Sequence, residues 1–291
     1  MKNQSRSPSK NSHPKKLRRW VVKAGSNMVC SGGPILLRAW MQQVKTLRKE
    51  HDIEVIWVTS GAIASAVDRT GFGSKKRLLA EKQALSAIGQ PLIMDLYNLS
   101  LQSVGLLGAQ VLLTYDDLAD PKRSENFKNT LEQLLQWQAT PILNENDAVA
   151  TEEIKFGDND ALSAKVARTM GAERLVILTD VDGLHDEDPR RNSKAKLIHQ
   201  LNGIAPAQLA KLRAEAESTK GNGGGTSRGT GGMYSKLSAA DLSTRAGVET
   251  WLVKGDVPSV LLQVAKDQAV GTQILVKKAA KRSSQPARKS R

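Results

Sequence analysis

The chain has 291 residues, 40% of them hydrophobic and 25% charged, which is enough apolar matter for a sizeable core in one large domain or two small ones. Its formal charge of +14 points to a nucleic-acid binder until it is located. Met1 to Arg19 and Lys277 to Arg291 each carry seven Lys/Arg and no acid, and between them 29 basic residues cancel 29 acidic ones. No apolar run is long enough to span a membrane, the single cysteine, Cys30, excludes an internal disulfide, and histidines at 13, 51, 185 and 199 lack zinc spacing.

The basic tails are rich in Ser, Lys, Arg and Pro, so burial cannot offset their ordering entropy and disorder is expected. They serve as solubilising ends or as weak, salt-sensitive contacts to a polyanion. The N-terminus lacks the apolar segment of a secretory signal, and Leu17 alone gives no amphipathic transit-peptide face. A cytoplasmic, reducing location is expected.

From Trp20 onward, short apolar runs alternate with helical patterns, which predicts an α/β domain with a mainly parallel sheet over residues 20–276. Trp20–Lys23 reads as a strand, Ile35–Leu47 as a helix, and Ile53–Thr59 as a second strand that breaks at Ser60-Gly61 into a helix from Ala62. Residues 77–104 read as helical but interrupted near Gly89 and Pro91. Strands follow at Ala109–Thr114 and Thr140–Leu143, separated by an amphipathic helix at Glu125–Trp137. A helix at Asp160–Met170, a strand at Arg174–Thr179, a helix at Tyr234–Ala246 and strands at Glu249–Val253 and Gln273–Val276 complete the order. Between Ala216 and Gly232 the composition turns to Gly, Ser, Thr and Asn, with seven glycines in the twelve residues Gly221–Gly232, as in a mobile loop.

Polar chemistry recurs just past strand C-termini, where open α/β sheets bind ligands. Gly229-Thr230-Gly231-Gly232-Met233-Tyr234-Ser235-Lys236 leads into a helix, so its backbone N–H groups can cradle phosphate while Lys236 adds charge. The spacing is not that of a Walker A loop, and a plain linker is the competing reading. Lys23, beside Gly25 and Ser26, is either a surface lysine or a phosphate contact; Ser60-Gly61-Ala62 is either a helix cap or a set of anion donors. Asn144–Asp147 and Gly157–Asp160 crowd Glu145, Asp147, Glu152, Glu153, Asp158 and Asp160 around one cation, Lys155. Such density is unfavourable unless it reads a cation, although a solvated acidic loop has the same composition. Thr179-Asp180, followed by Asp182-Gly183 and Asp188-Pro189, offers nucleotide or magnesium contacts, or ordinary turns.

Together, Val21–Ser26, Val58–Ile63, Lys82-Gln83 with Gly89-Gln90, Asn144–Asp147, Gly157–Asp160, Leu178–Asp180 and Gly229–Lys236 occur in an order that resembles the glutamate 5-kinases of the amino acid kinase family. The resemblance implies a three-layer αβα sandwich with ATP across the C-terminal edge of the sheet and L-glutamate beside it. It implies that Ser60, Asp147 and Asn159 bind glutamate, and that Lys23, Thr179, Asp180, Thr230, Gly231, Gly232, Met233, Tyr234, Ser235 and Lys236 serve ATP, with Mg2+ as companion. Lys23 and Lys236 would flank the transferring phosphoryl group, with Asp160 holding both, and the product would be glutamyl 5-phosphate on the way to proline. A homo-oligomer, dimer or tetramer, and feedback by proline are expected on the same ground.

Asn27, in place of a small hydroxyl residue, the extra glycines with Lys220-Gly221-Asn222, and Ser124, in place of an aromatic, depart from the family pattern. After Val276 only a basic tail follows, where many members continue into a PUA domain. The alternatives are a family member acting on acetylglutamate, aspartate or a nucleoside monophosphate, and a nucleic-acid binder driven by the tails.

Overall fold

The computed structural model describes residues 17–72, 77–149, 159–187, 189, 192–221 and 232–276. Residues 1–16 and 277–291, Gly157-Asp158 and Gly229–Gly231 lie outside them, whereas Arg18 and Arg19, counted with the N-terminal tail and expected to be disordered, open the first strand, because each finds a carboxylate partner there. In chain order the elements are β1 (Arg18–Ala24), α1 (Ser26–His51), β2 (Ile53–Val58), α2 (Ala62–Thr70), α3 (Leu79–Ser103), β3 (Leu107–Leu113), α4 (Tyr115–Ala119), α5 (Pro121–Gln136) and β4 (Ala139–Glu145). They continue with α6 (Asn159–Thr169), β5 (Arg174–Thr179), β6 (Gln200–Asn202), α7 (Pro206–Gly221), α8 (Met233–Arg245), β7 (Glu249–Lys254), α9 (Val260–Ala265) and β8 (Thr272–Leu275).

The strands form one eight-stranded sheet in the order β3-β4-β2-β1-β5-β7-β8-β6. Pairing is parallel except between β7 and β8. The central strands are buried on both faces, which explains their continuous apolar runs. Alternate residues supply two cores. Trp20, Val22, Val55, Trp57, Val176, Leu178, Trp251 and Val253 pack with α1, α3 and α9. Val21, Ile56, Val58, Leu175, Ile177 and Leu252 pack with α5, α6 and α8 on the other side. Three layers result, and the two-residue period places Lys23 on the α6/α8 side.

The boundaries differ from the sequence expectations where glycine and proline signals were weighted too heavily. α3 runs unbroken through Gly89 and Pro91, because Gly89 has a packing role: a Cβ there would sit 1.8 Å from the Ala62 carbonyl oxygen. α1 begins at Ser26 and continues after a true break at Gly33 (φ 55°) before Pro34, so the helical stretch preceding the break was missed. α7 extends to Gly221, inside the span expected to be loop, and α4, α9 and the three-residue β6 carried no pattern of their own.

The N-terminal end of the sheet is tied by arginines. Arg174, 7% exposed, pairs with Glu249 at 3.0 Å and Asp267 at 2.5 Å, donates to the Val264 carbonyl and lies against the Trp20 and Trp251 rings. Arg19 binds both Glu54 and Glu132. Among the described residues no helix is long and apolar enough to cross a membrane.

Candidate active site

The parallel strands deliver their C-terminal ends to one edge, and the order reverses at β1, where β2 lies on one side and β5 on the other. Such a switch point leaves a crevice between connections that run to opposite faces. Lys23 is the penultimate residue of β1, Thr59 and Ser60 follow β2, Asn144 and Glu145 end β4, and Thr179 ends β5 with Asp180 directly after it.

At the centre is Asp160 in the first turn of α6, with no solvent exposure. Lys23 Nζ lies 2.5 Å from its Oδ1, and Lys236 Nζ, from the first turn of α8, lies 3.5 Å from its Oδ2. Ser235 Oγ donates to the same Oδ2 at 3.1 Å and also to the Gly232 carbonyl. One carboxylate thus gathers two ammonium groups separated by more than two hundred residues. With the free N–H groups at the start of α8 beside it, this edge suits a polyanionic phosphate. Gly232 caps α8 in extended backbone, and Met233, Tyr234 and Ser235 are half-buried in its first turn. Thr230 and Gly231 lie outside the described residues.

On the β2/β4 side the polar groups form a second cluster. Asn159 Nδ2 donates to the Thr59 carbonyl (2.5 Å), to Asn144 Oδ1 (2.6 Å) and to Ser60 Oγ (2.9 Å). Because Ser60 Oγ accepts here, its own proton is directed elsewhere. The turn after it needs Gly61, whose φ of 104° belongs to the left-handed region. Asp147, in a short 3-10 turn after β4, accepts from Ser86 Oγ at 3.1 Å. Burial pushes the Asp147 carboxyl above the ordinary aspartate range, and the Ser86 hydroxyl partly offsets this. Beneath, Tyr97 Oη receives the Trp57 indole N–H at 2.8 Å and meets Thr59 Oγ1 at 2.9 Å, which fixes the root of the Ser60 turn.

On the β5 side Thr179 Oγ1 donates to Asp180 Oδ1 at 3.1 Å, and Asn27 Nδ2 lies 3.4 Å from Asp180 Oδ2. The position that departs from the family pattern therefore touches the site directly. The structure brings together Lys23, Lys236, Asp160 and Ser235 as one group, and Ser60, Asn159, Asn144, Ser86 and Asp147 along a neighbouring one. Ser86 and Gln90 were missed as site residues. Their signal was present: Ser86, Gly89 and Gln90 at i, i+3 and i+4 are a polar or small stripe on a helix face otherwise built of Leu85, Ile93, Met94 and Tyr97.

Residues 18–254 match the amino acid kinase family. The chain belongs to that family. Among curated relatives, the glutamate 5-kinase of Ectopseudomonas mendocina is 42% identical over 88% of this chain and 67% of its own length. That of Alcanivorax borkumensis is 41% identical over 88% and 66%, and that of a Thermoanaerobacter species 39% over 88% and 68%. The chain thus spans about two thirds of the length of these relatives. Two solved structures share the fold: aspartate kinase from Synechocystis (TM-score 0.58, 17% identity, 91% of this chain and 41% of that one) and uridylate kinase from Archaeoglobus fulgidus (0.56, 18%, 89% and 100%).

Proposed function

We propose that the protein transfers the γ-phosphoryl group of ATP to the side-chain carboxylate of L-glutamate, giving L-glutamyl 5-phosphate. The observation that carries this reading is the pairing of Lys23 and Lys236 on the buried Asp160 beside an amide-and-carboxylate cluster, in a chain about 40% identical to glutamate 5-kinases.

The acceptor carboxylate, with a pKa near ~4.3, is already an anion at neutral pH, so no general base is needed. Its oxygen attacks the γ-phosphorus in line as the bond to the β-phosphate oxygen breaks and ADP leaves. The barrier is the approach of an anion to a polyanion, which aligned positive charge lowers. Lys23 and Lys236 supply that charge from opposite sides, and Asp160 with Ser235 holds them. Asp147 and the carbonyl of Asn159 receive the α-ammonium, while Ser60 and the Gly61 turn receive the α-carboxylate. Thr179, Asp180, Thr230, Gly231, Gly232, Met233 and Tyr234 contact the nucleotide.

Among the described residues no three acidic, His or Cys side chains converge as a metal cluster. With Asp160 engaged by lysines, the donor set fits a Mg2+ carried by the nucleotide phosphates, with Asp180, just past the end of β5, as the carboxylate that would assist. Such an ion would supply further positive charge to the nucleotide phosphates. The same reading takes residues 20–276, together with the Arg18-Arg19 start of β1, as the catalytic unit and the cytoplasm, where ATP and glutamate are supplied, as its location. It carries a dimer or tetramer, supported by the exposed Ile88, Leu99, Leu107 and Leu112 on α3 and the edge strand β3, and feedback by proline at the glutamate side.

Incubation with ATP, Mg2+, hydroxylamine and a panel of acids tests the activity. Hydroxamate from glutamate, and not from N-acetylglutamate or aspartate, is the expected result. No hydroxamate from glutamate would overturn the reading, and light scattering with and without proline checks the assembly.

A further inference from the structure

Three buried side-chain amides connect α3 to the glutamate side of the site. Gln90, 8% exposed, donates from Nε2 to the Glu145 carbonyl at 3.2 Å and accepts at Oε1 from Asn144 Nδ2 at 3.1 Å. Asn144, 3% exposed, accepts at Oδ1 from the Glu145 N–H at 3.0 Å and from Asn159 Nδ2. Asn159, 7% exposed, gives its remaining donor capacity to the Thr59 carbonyl and Ser60. An amide has distinct donor and acceptor ends, and backbone groups are fixed in kind. The Glu145 carbonyl, the Glu145 N–H and the Thr59 carbonyl therefore permit one orientation of all three amides. In that orientation Asn159 turns its NH2 inward and its Oδ1 away, as an acceptor.

We infer that Gln90, a residue away from the reacting atoms, is a positioning residue that selects for a substrate carrying an α-ammonium group, by keeping Asn144 aligned so that Asn159 presents an acceptor. This rests on the glutamate reading above. Without Gln90 the buried Asn144 Nδ2 loses its partner, and an unmet buried donor costs enough to rotate the side chain toward another acceptor. Asn159 then loses its shortest side-chain contact and the definition of its Oδ1.

The test compares glutamate with glutarate, which keeps both carboxylates and lacks the ammonium, in the full-length protein and in Gln90→Met and Gln90→Glu. Gln90→Met keeps the length but offers only a weak thioether acceptor and no donor, and is expected to raise the glutamate KM about 10-fold and to reduce the glutamate/glutarate preference by about as much, with kcat and the ATP KM within about twofold. Gln90→Glu still accepts from Asn144 and is expected to retain the preference, even at a lower melting temperature. An unchanged ratio in a folded Gln90→Met protein, or equal loss for both substrates, would overturn the inference. Should Gln90→Met fail to fold, loss of the preference in the folded Gln90→Glu protein would overturn it equally. Parent protein that makes no product from glutamate would instead defeat the underlying reading, so the two failures are distinct.

Discussion

Replacing Asp160 by Asn removes one negative charge and almost no volume. Lys23 and Lys236 then share a site that is 3% and 8% exposed at those residues, with no carboxylate at 2.5 and 3.5 Å. Breaking a buried pair by deleting one partner costs about 3–5 kcal/mol, because the stranded charge stays desolvated. Lys23 sits on a central strand of the sheet and is only 3% exposed, so water relieves little of its share of that cost. Against a total stability of roughly 5–15 kcal/mol, the fold survives but loses a large fraction of it. A nucleotide phosphate can replace the missing anion, so a nonhydrolysable ATP analogue should raise the urea midpoint of Asp160→Asn more than that of the parent. Turnover should fall nonetheless, since lysines held by ligand alone are not aligned for transfer. Urea unfolding with and without the analogue measures both quantities. An unchanged midpoint, or the same ligand-induced shift in both proteins, would refute the view that Asp160 is the lysines' counter-charge.

Lys236→Ala should lower kcat about 10²–10³-fold with a smaller effect on the ATP KM, as read from initial rates, because its charge acts chiefly in the transition state. The Asp147 carboxyl is raised by burial, so its ionised form is the costly one. Its contribution to stability is present below the ordinary aspartate value and is lost as pH rises through the folded one. Glutamate binding needs that ionised form, so the glutamate KM should climb on acidification sooner than an ordinary aspartate would dictate. Ser86→Ala, by removing the opposing hydrogen bond, should move that climb to still higher pH in a KM–pH profile. Gly89→Ala forces a methyl group against the Ala62 backbone and should cost about 1–3 kcal/mol or more in thermal unfolding. It should raise the glutamate KM as well, because Ala62 adjoins the Ser60-Gly61 turn.

Much of this could be read from the residues alone, for identifiable reasons. The central strands announced themselves because burial on both faces leaves uninterrupted Val, Ile, Leu and Trp, and β1, β2 and β5 begin and end within two residues of their expected limits. Lys23, Asp160 and Lys236 were grouped by their resemblance to a known order of motifs; spacing alone left Lys23 as a surface residue. The continuity of α3 was hidden because Gly89 and Pro91 look like breakers until the Ala62 backbone is known to lie against that helix face. Ser86 and Gln90 showed as a polar stripe, and Gln90 within a motif, but without a role, because a helix does not disclose which strand end its polar stripe will meet.

The arginine ties at the opposite end of the sheet bear on how this mouth can change. Arg19 and Arg174 fasten β1, β5 and β7 to their surroundings from below, well away from Ser60, Asn159 and Asp147. Anchorage and selectivity are therefore housed in separate residues, and the rim can be re-cut for another acid while the foundation stays put. A laboratory search for new acceptor specificity should accordingly draw its library from the turns after β2 and β4 and leave the guanidinium forks alone.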